Sequence, residues 1–316
     1  MKTIRFIYLG VTLMKLQQLQ VFVTVAQEKS LRAAARRLDL TQPAVTRTIQ
    51  ELESDVGVAL LNRSVQGIEL TDYGAALQIR AHQLLEDVRR AREELDQMKG
   101  EMCGRVSFGT TSSIALTLLP PTVQRFRETA PTAELVLSEV KFPLALHHLR
   151  DGSVDFVASH VLPNMLDDDL ISIPLFSTDF VVMARVGHPL AHARRLVELT
   201  DAEWLQPIPA EGFQSSVMAA AFERNGLALP RRLTQCASFA IALGLVSDTD
   251  IIGLFSRPLA GRVAHYGLQP IMLDVPLPAL EMSVIMRKNV RLTPAAQHFM
   301  TCLQACARTL ATQLAA

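Results

Sequence analysis

Only four of the 316 residues are cysteine, and of Cys103, Cys236, Cys302 and Cys306 only the last two lie close together. A chain this long with so few thiols carries no disulfide framework and reads as a reduced protein of the cytoplasm. Net charge is equally scarce: 31 Lys and Arg balance 31 Asp and Glu, so no global field draws the chain to nucleic acid or anionic lipid. No run approaches the ~18 apolar residues that cross a bilayer, and no membrane partner is expected. The sequence also lacks a Gly-x-Ser-x-Gly elbow, a Gly-x-Gly-x-x-Gly fingerprint, a phosphate-loop lysine motif, a His-Glu-x-x-His pair and a Cys-x-x-Cys pair. Neither catalysis nor a resident cofactor is expected without them. A hydrophobic fraction of 49% and a mean hydropathy of +0.22 still describe a folded chain with a sizeable core, long enough for more than one domain.

The stretch SLRAAARRLDLTQPAVTRTIQELE, from Ser30 to Glu53, is the most informative. Ser30 is placed to cap a helix with Ala34, Ala35 and Leu38 on one face, and Asp39-Leu40 breaks it. Thr41 caps a second helix. Pro43 falls in its first turn, where a missing N–H costs little, and Val45, Ile49 and Leu52 recur at helical spacing. The opposite face then shows Gln42, Pro43, Thr46, Arg47 and Gln50, groups able to reach base edges and phosphates from a major groove. An αα-hairpin of an unrelated helical domain has the same caps and spacing; the flank favours a helix-turn-helix. After Glu53 come a helix end at Gly57, a short apolar segment, a hairpin around Gln66-Gly67 and a strand at 68–70. These are the parts of a winged unit in order, with Arg63 near phosphate. Lys29, Arg32, Arg36, Arg37 and Arg47, with only Asp39 among them, form a local basic patch on a neutral chain, sufficient for salt-sensitive phosphate contacts.

A first helix with Leu16, Leu19, Phe22, Val23 and Ala26 as its apolar stripe supports the pair. Downstream, DYGAALQIRAHQLLEDVRRAREELDQMKG reads as one long helix. Its inner positions Leu77, Ala81, Leu84, Val88, Ala91, Leu95 and Met98 alternate steps of four and three, the seam of a coiled coil. Such an arm pairs two chains and sets two recognition helices about one DNA turn (~34 Å) apart. Gly100 to Gly104 is a hinge candidate. From Val106 onward the chain alternates strands and helices, with strands expected at 135–139, 154–158, 171–175, 180–184, 233–237, 251–255, 271–273 and 282–286, which implies parallel sheets with crossover connections. More than two hundred residues of this pattern suggest two lobes.

The alanine-rich helix, TQPAVTRTIQELE, VGVALLNR and GIELTDYG together resemble the DNA-binding domain of LysR-type transcriptional regulators across its whole length. Further on, Arg150-Asp151-Gly152-Ser153-Val154-Asp155 and Gly187-His188-Pro189-Leu190-Ala191 match short family signatures. The resemblance implies an α+β multidomain chain: an extension at 1–13, a winged helix-turn-helix at 14–71, a linker and dimerisation helix with its hinge at 72–103, and an effector-binding domain at 104–316. That last domain would resemble type 2 periplasmic binding proteins, with lobe I from 104–174 and 281–316 and lobe II from 175–280. It implies a homodimer or homotetramer that binds an interrupted palindrome in double-stranded DNA, answers to a small effector and works with RNA polymerase. Family members begin near Met14-Lys15-Leu16, so residues 1–13 are expected to be an extension or an upstream start. Their basic start and short apolar run imitate a signal peptide without a convincing cleavage site. Val65 and Gln66 stand where the family usually carries a basic residue in the wing.

In open α/β sheets ligands gather at the carboxyl ends of strands. Thr110 to Ser113 follow the strand from Val106 and either merely cap a helix or offer donors to an anion; the resemblance implies that Thr111, Ser112 and Ser113 touch an effector. Across the cleft it places Phe213, Gln214 and Ser215 at one helix start and Ser238 and Phe239 at another, with Phe142 as an apolar wall. Few charges stand at these ends, which suits a small organic acid with an apolar or aromatic body, a carboxylate or sulfonate. A solute-binding protein would explain residues 104–316 but not the winged unit before them. His188 reads as a structural residue of a His-Pro turn. Cys302 and Cys306 share a helical face with His298, which leaves a metal or redox-sensing role open beside plain packing.

Overall fold

The computed structural model describes residues 14–64, 67–98, 103–141, 144–161, 166–208 and 213–315. The extension at 1–13, the wing tip Val65-Gln66, residues 100–102 of the hinge and Phe142 lie outside the described residues. The chain divides into two compact units, an N-terminal one and one built from most of the remainder.

In the N-terminal unit, α1 (Leu16–Glu28), α2 (Leu31–Arg37) and α3 (Gln42–Val56) precede a hairpin of β1 (Leu61–Ser64) and β2 (Gly67–Leu70), and α4 (Asp72–Gln97) follows, with its residues from Glu93 on counted in the second unit. The caps act as expected. Ser30 Oγ accepts from the Ala33 N–H at 3.3 Å, and Thr41 Oγ1 accepts from the Ala44 N–H at 3.4 Å. Between the two helices Asp39 takes a left-handed φ of 55°, a conformation that a short polar side chain tolerates, and Gly57 at φ 76° ends α3. Val45, Ile49 and Leu52 are fully buried with Leu19, Phe22, Ala34 and Leu60. Complete burial of such side chains stabilises by roughly 1.5–3 kcal/mol each, enough to hold a unit this small. Leu19, Phe22 and Val23 of the expected α1 stripe are buried, Leu16 is exposed, and Val21 and Val25 are buried as well, because α2, α3 and β2 all pack on this helix.

The coiled-coil seam is shorter than its sequence period suggests. Ala81 is buried in the core of the winged unit, with Leu77 and Leu85 packed against it. Leu84, Val88, Leu95 and Met98 are exposed large hydrophobics, and Ala91 is exposed with them. The first turns of α4 therefore belong to the winged core, and the open apolar face begins at Leu84.

The second unit contains β3 (Arg105–Thr110), α5 (Ser112–Thr117), α6 (Leu119–Arg127), β4 (Glu134–Glu139), α7 (Leu144–Asp151), β5 (Phe156–Val161), β6 (Leu170–Thr178), β7 (Phe180–Arg185), β8 (Glu203–Pro207), α8 (Phe213–Arg224), β9 (Arg232–Cys236), α9 (Phe239–Asp248), β10 (Ile251–Ser256), α10 (Arg257–Val263), β11 (Leu268–Ile271), β12 (Leu280–Arg287) and α11 (Pro294–Ala315). Two five-stranded sheets result, ordered β4-β3-β5-β12-β6 and β11-β7-β10-β8-β9. A core of Phe108, Phe126, Phe156 and Phe299 fills the first lobe, and Trp204, Phe222 and Phe180 anchor the second.

Three expectations are corrected. The sheets are mixed: β12 runs antiparallel to β5 and β6, and β7 antiparallel to β10 and β11, because these strands sit where the chain enters or leaves a lobe and no crossover helix reverses them. The lobe boundary lies later than 175, since β6 stays paired with β12 down to Thr178↔Leu280. Strand limits also move. The expected strand at 154–158 is β5, which starts later because Asp155 is spent on Ser107, accepting its N–H at 2.7 Å, and ends later because its pairing with β12 runs on to Val161↔Glu281. The strand expected at 271–273 is β11, starting after Gly267 at φ 77°. Polar and proline-ended, β8 gave no alternation to read, yet it carries the buried Trp204, whose indole N–H donates to Leu199 O at 2.9 Å.

A Cβ on Gly74 would lie 2.1 Å from Leu60 O, the same oxygen that accepts from Thr71 N at 3.0 Å. Gly74→Ala is therefore expected to cost the winged unit about 1–3 kcal/mol, as overpacking does. Hydrogen exchange of the α1–α3 amides checks this, and unchanged protection would mean that the close approach relaxes freely.

Candidate nucleic-acid interface and ligand cleft

With its apolar face buried, α3 turns Gln42, Pro43, Arg47 and Gln50 outward, and Thr46 is half-buried at the border. No acidic residue interrupts this face before Glu51. Arg47 Nε reaches Glu51 Oε1 at 2.9 Å, with side chains 82% and 49% exposed, an ion pair of little net strength that a phosphate can replace. Arg37 pairs similarly with Glu28 at 2.7 Å, while Lys29, Arg32 and Arg36 are exposed. Thr41 is committed to capping α3 as an acceptor, which leaves its O–H to donate. The Ile68 N–H donates to Lys29 O at 3.3 Å, so β2 is tied to the turn that starts α2. Arg63 is on β1, its side chain outside the described residues.

In the second unit a cavity of about 120 Å³ opens at the carboxyl ends of strands from both lobes. Thr111, Ser112, Ser113, Ser238 and Phe239, which the resemblance implied for the effector, line it. Ser215 lines a separate pocket of about 20 Å³ that shares Leu205, Pro207 and Leu254 with the cleft. Phe213 and Gln214 begin α8, but their side chains, like Phe142, are outside the described residues.

The hydroxyls do different work from the capping that their spacing allows. Thr111 occupies the N-cap of α5 without a side-chain cap bond, and its buried Oγ1 has no partner among the described residues. Ser112 Oγ donates to Glu139 Oε1. Ser113 Oγ lies 2.6 Å from Ser256 Oγ, a link from the first lobe to the second. Lys141 makes another: its Nζ donates to Ile208 O at 3.0 Å and to Ala237 O.

Glu139, Lys141, Ser159, His160 and Ser256 line the cleft and were missed. The expectation of few charges at the strand ends is thus corrected by Glu139 and Lys141. Ser159 and His160 escaped notice because β5 was expected to stop at Ala158; extended to Val161, it carries both to the ligand edge. Burial holds the His160 imidazole neutral, its pKa pushed down from 6.5 to about 3, and its ring lies 5.3 Å from that of Phe180. Where the chain first crosses between lobes, Arg257 grips Asp179 through Nε at 2.8 Å and Nη2 at 2.5 Å; the Arg257 side chain holds the Asp179 carboxyl below its ordinary range.

His188 is structural as expected: Nδ1 accepts from the Leu190 N–H at 3.0 Å, so Nε2 donates to Asp250 O at 3.1 Å. Cys302 Sγ sits 3.8 Å from His298 Nε2, and burial pushes its thiol pKa up against the pull of Arg125. A reactive thiolate is disfavoured there. Among the described residues no cluster of three metal-ligating side chains occurs, and no helix is long and apolar enough to cross a membrane.

Residues 16–75 match the family model of the bacterial regulatory helix-turn-helix protein, lysR family, and residues 99–307 match that of the LysR substrate binding domain. The chain is 30% identical over 297 residues to the HTH-type transcriptional regulator GalR of Pseudomonas putida, covering 92% of this chain and 74% of that protein. It is 28% identical over 286 residues to the HTH-type transcriptional regulator TdcA of Escherichia coli (strain K12), covering 90% and 91%. Full-length CbnR, solved in complex with its target DNA, shares the fold with a TM-score of 0.69 at 23% identity, covering 93% of this chain and 100% of that one.

His160 sets a pH dependence with a definite sign. Below pH 6.5 the unfolded chain binds a proton at this residue that the folded chain refuses until pH about 3. The stability associated with neutral His160 is therefore whole above pH 6.5 and lost progressively as pH falls through that window. Between pH 7 and pH 5, His160→Met should lose about 2 kcal/mol less stability than the parent protein, measured by urea unfolding at each pH; parallel losses would show that the imidazole takes up its proton in the fold.

Proposed function

The chain belongs to the LysR family of transcriptional regulators, and from that premise we propose that it pairs through α4, reads an interrupted palindrome in double-stranded DNA with α3, and is controlled by a small organic acid held in the inter-lobe cleft. The observation that carries the reading is α3 itself. One face is sealed in the core by Val45, Ile49 and Leu52, and the other presents amide, hydroxyl and guanidinium groups with no acid among them before Glu51. Arg47, Gln42 and Gln50 are the side chains suited to base edges or phosphates, with Thr46 and Pro43 shaping the contact; Arg32, Thr41 and Arg63 are suited to the backbone. A neutral chain gains its affinity from this local patch.

The exposed face of α4 from Leu84 to Met98 supports pairing of two chains, since large hydrophobics in a heptad row are buried by a partner helix. Pairs of dimers make the tetramer that holds both half-sites of a promoter and presents it to RNA polymerase in the cytoplasm. Bending the DNA costs on the order of 1–6 kcal/mol, so a modest change in the spacing of the winged units redirects it. The acid drives that change only through unequal affinity for the two arrangements. Lys141 in an otherwise largely apolar cleft supports an acid, and the unpartnered Thr111 hydroxyl supports a ligand hydrogen bond. A redox-sensing alternative finds less support, because burial raises the Cys302 pKa.

A duplex recovered by in vitro selection provides the test on the DNA side. Arg47→Ala should weaken its binding by about 1–3 kcal/mol, read by fluorescence anisotropy, with the assembly state by light scattering unchanged; loss of assembly instead would move Arg47 from DNA contact to structure. On the ligand side, melting temperature is measured against a panel of aliphatic and aromatic carboxylates and sulfonates. An acid at 100 times its Kd adds about 2.7 kcal/mol. Thr111→Val should remove that rise and leave DNA binding intact, and a rise that survives the substitution would place the acid elsewhere.

A further inference from the structure

The polar groups of the cleft are not scattered but ordered across the first sheet. Thr110 is in register with Glu139 of β4 on one side and with Ala158 of β5 on the other. Lys141 just past β4, Thr111 just past β3, and Ser159 with His160 in the last residues of β5 therefore succeed one another along the floor of the cavity. Charge is confined to the first of these positions. Among the described residues lining the cavity, only Glu139 and Lys141 are charged at neutral pH, because burial keeps His160 neutral.

At the β3–β5 end the chemistry is neutral and unsatisfied. The Ser159 side chain is fully buried and that of Thr111 nearly so, and neither Oγ atom has a hydrogen-bond partner among the described residues. A buried hydroxyl left this way carries a desolvation penalty, and both residues line the cavity. An anionic ligand group placed there would lose its hydration with no cation to replace it. A neutral oxygen would satisfy both hydroxyls. At the β4 end Lys141 is held by two backbone carbonyls of the second lobe, Ile208 O and Ala237 O, and a carboxylate is the stronger partner for an ammonium. Glu139 beside it disfavours a second carboxylate at that edge.

We propose that the cleft selects a monocarboxylic acid that also bears a neutral hydroxyl or keto oxygen, with Lys141 taking the carboxylate and Thr111 and Ser159 taking the second oxygen. One to two strand spacings, about 5–10 Å, separate the two ends. The assignment rests on the reading of the cleft as an acid site and adds the specificity that Ser159 imposes on it.

The full-length protein is tested by melting temperature with three matched pairs of acids at about 10 mM: benzoate and 4-hydroxybenzoate, phenylacetate and 4-hydroxyphenylacetate, hexanoate and 6-hydroxyhexanoate. The hydroxy member of at least one pair should raise the melting temperature beyond its parent acid. That advantage should vanish in Ser159→Ala, and the response to both members should vanish in Lys141→Met. Without any acid, Ser159→Ala should melt about 2 °C or more above the parent protein, because an unsatisfied buried hydroxyl has been removed. A lower melting temperature would show that the protein itself uses that hydroxyl, and the assignment would fail. Parent acids acting as strongly as their hydroxy partners, or an advantage that survives Ser159→Ala, would overturn this assignment while leaving the acid reading standing. If none of the six acids shifts the protein, both fall together.

Discussion

One strand drawn from far along the chain holds the ligand-binding unit together. β12 enters the first sheet between β5 and β6, bonded along both edges, and Val284 and Ile285 within it are fully buried. The sheet is incomplete until the second lobe, which intervenes in sequence, has brought this strand back. The entropic cost of such a long closure grows only slowly with loop length, whereas each buried apolar side chain contributes in full. Because Thr178 and Leu280 face each other at the end of the β6–β12 ladder, both chain crossings lie at one place. Asp179, gripped by Arg257, is the first residue beyond that ladder.

Two bonds that span the cleft among the described residues are of different kinds. Ser113 and Ser256 exchange a neutral hydrogen bond, and Lys141 places a charge on two backbone carbonyls. Neither is so strong that a ligand could not compete for it, since a net hydrogen bond contributes about 1 kcal/mol. Phe239, Leu254 and Phe255 supply apolar walls. A small ligand thus gains affinity from burial and discrimination from a handful of polar atoms, the usual division in small-molecule sites.

In the winged unit the division of labour is by helix face. The caps at Ser30 and Thr41, the left-handed turn at Asp39 and the glycine end at Gly57 fix where α2 and α3 start and stop. The buried row of α3 orients it, and its outer row stays exposed. α4 serves two masters in sequence: Leu77 and Ala81 complete the winged core, and from Leu84 the same helical period is available to a partner chain.

The helical elements of the winged unit were legible from neighbours along the chain. Helix caps, the period of Val45, Ile49 and Leu52, the turn at Gly57 and the hydroxyl cluster at 110–113 are local, and a residue's type at fixed spacing determines them. What needed the tertiary structure was set by partners distant in sequence. The antiparallel place of β12, the crossing after Thr178 and the division of the α4 seam each depend on which surface packs against which. For the cleft, the resemblance pointed to Thr111 and Ser238, whereas Ser159 and His160 were hidden by a three-residue error in where β5 stops, and Lys141, two residues past the end of β4, gave no local signal of its place. Sequence alone determined that this chain has a helix-turn-helix, a heptad arm and an α/β unit, since periodicity and capping are written residue by residue. Only the tertiary structure decided which charges and hydroxyls share one cavity, because hydrogen bonds between strands, not neighbours in sequence, set the register that brings them together.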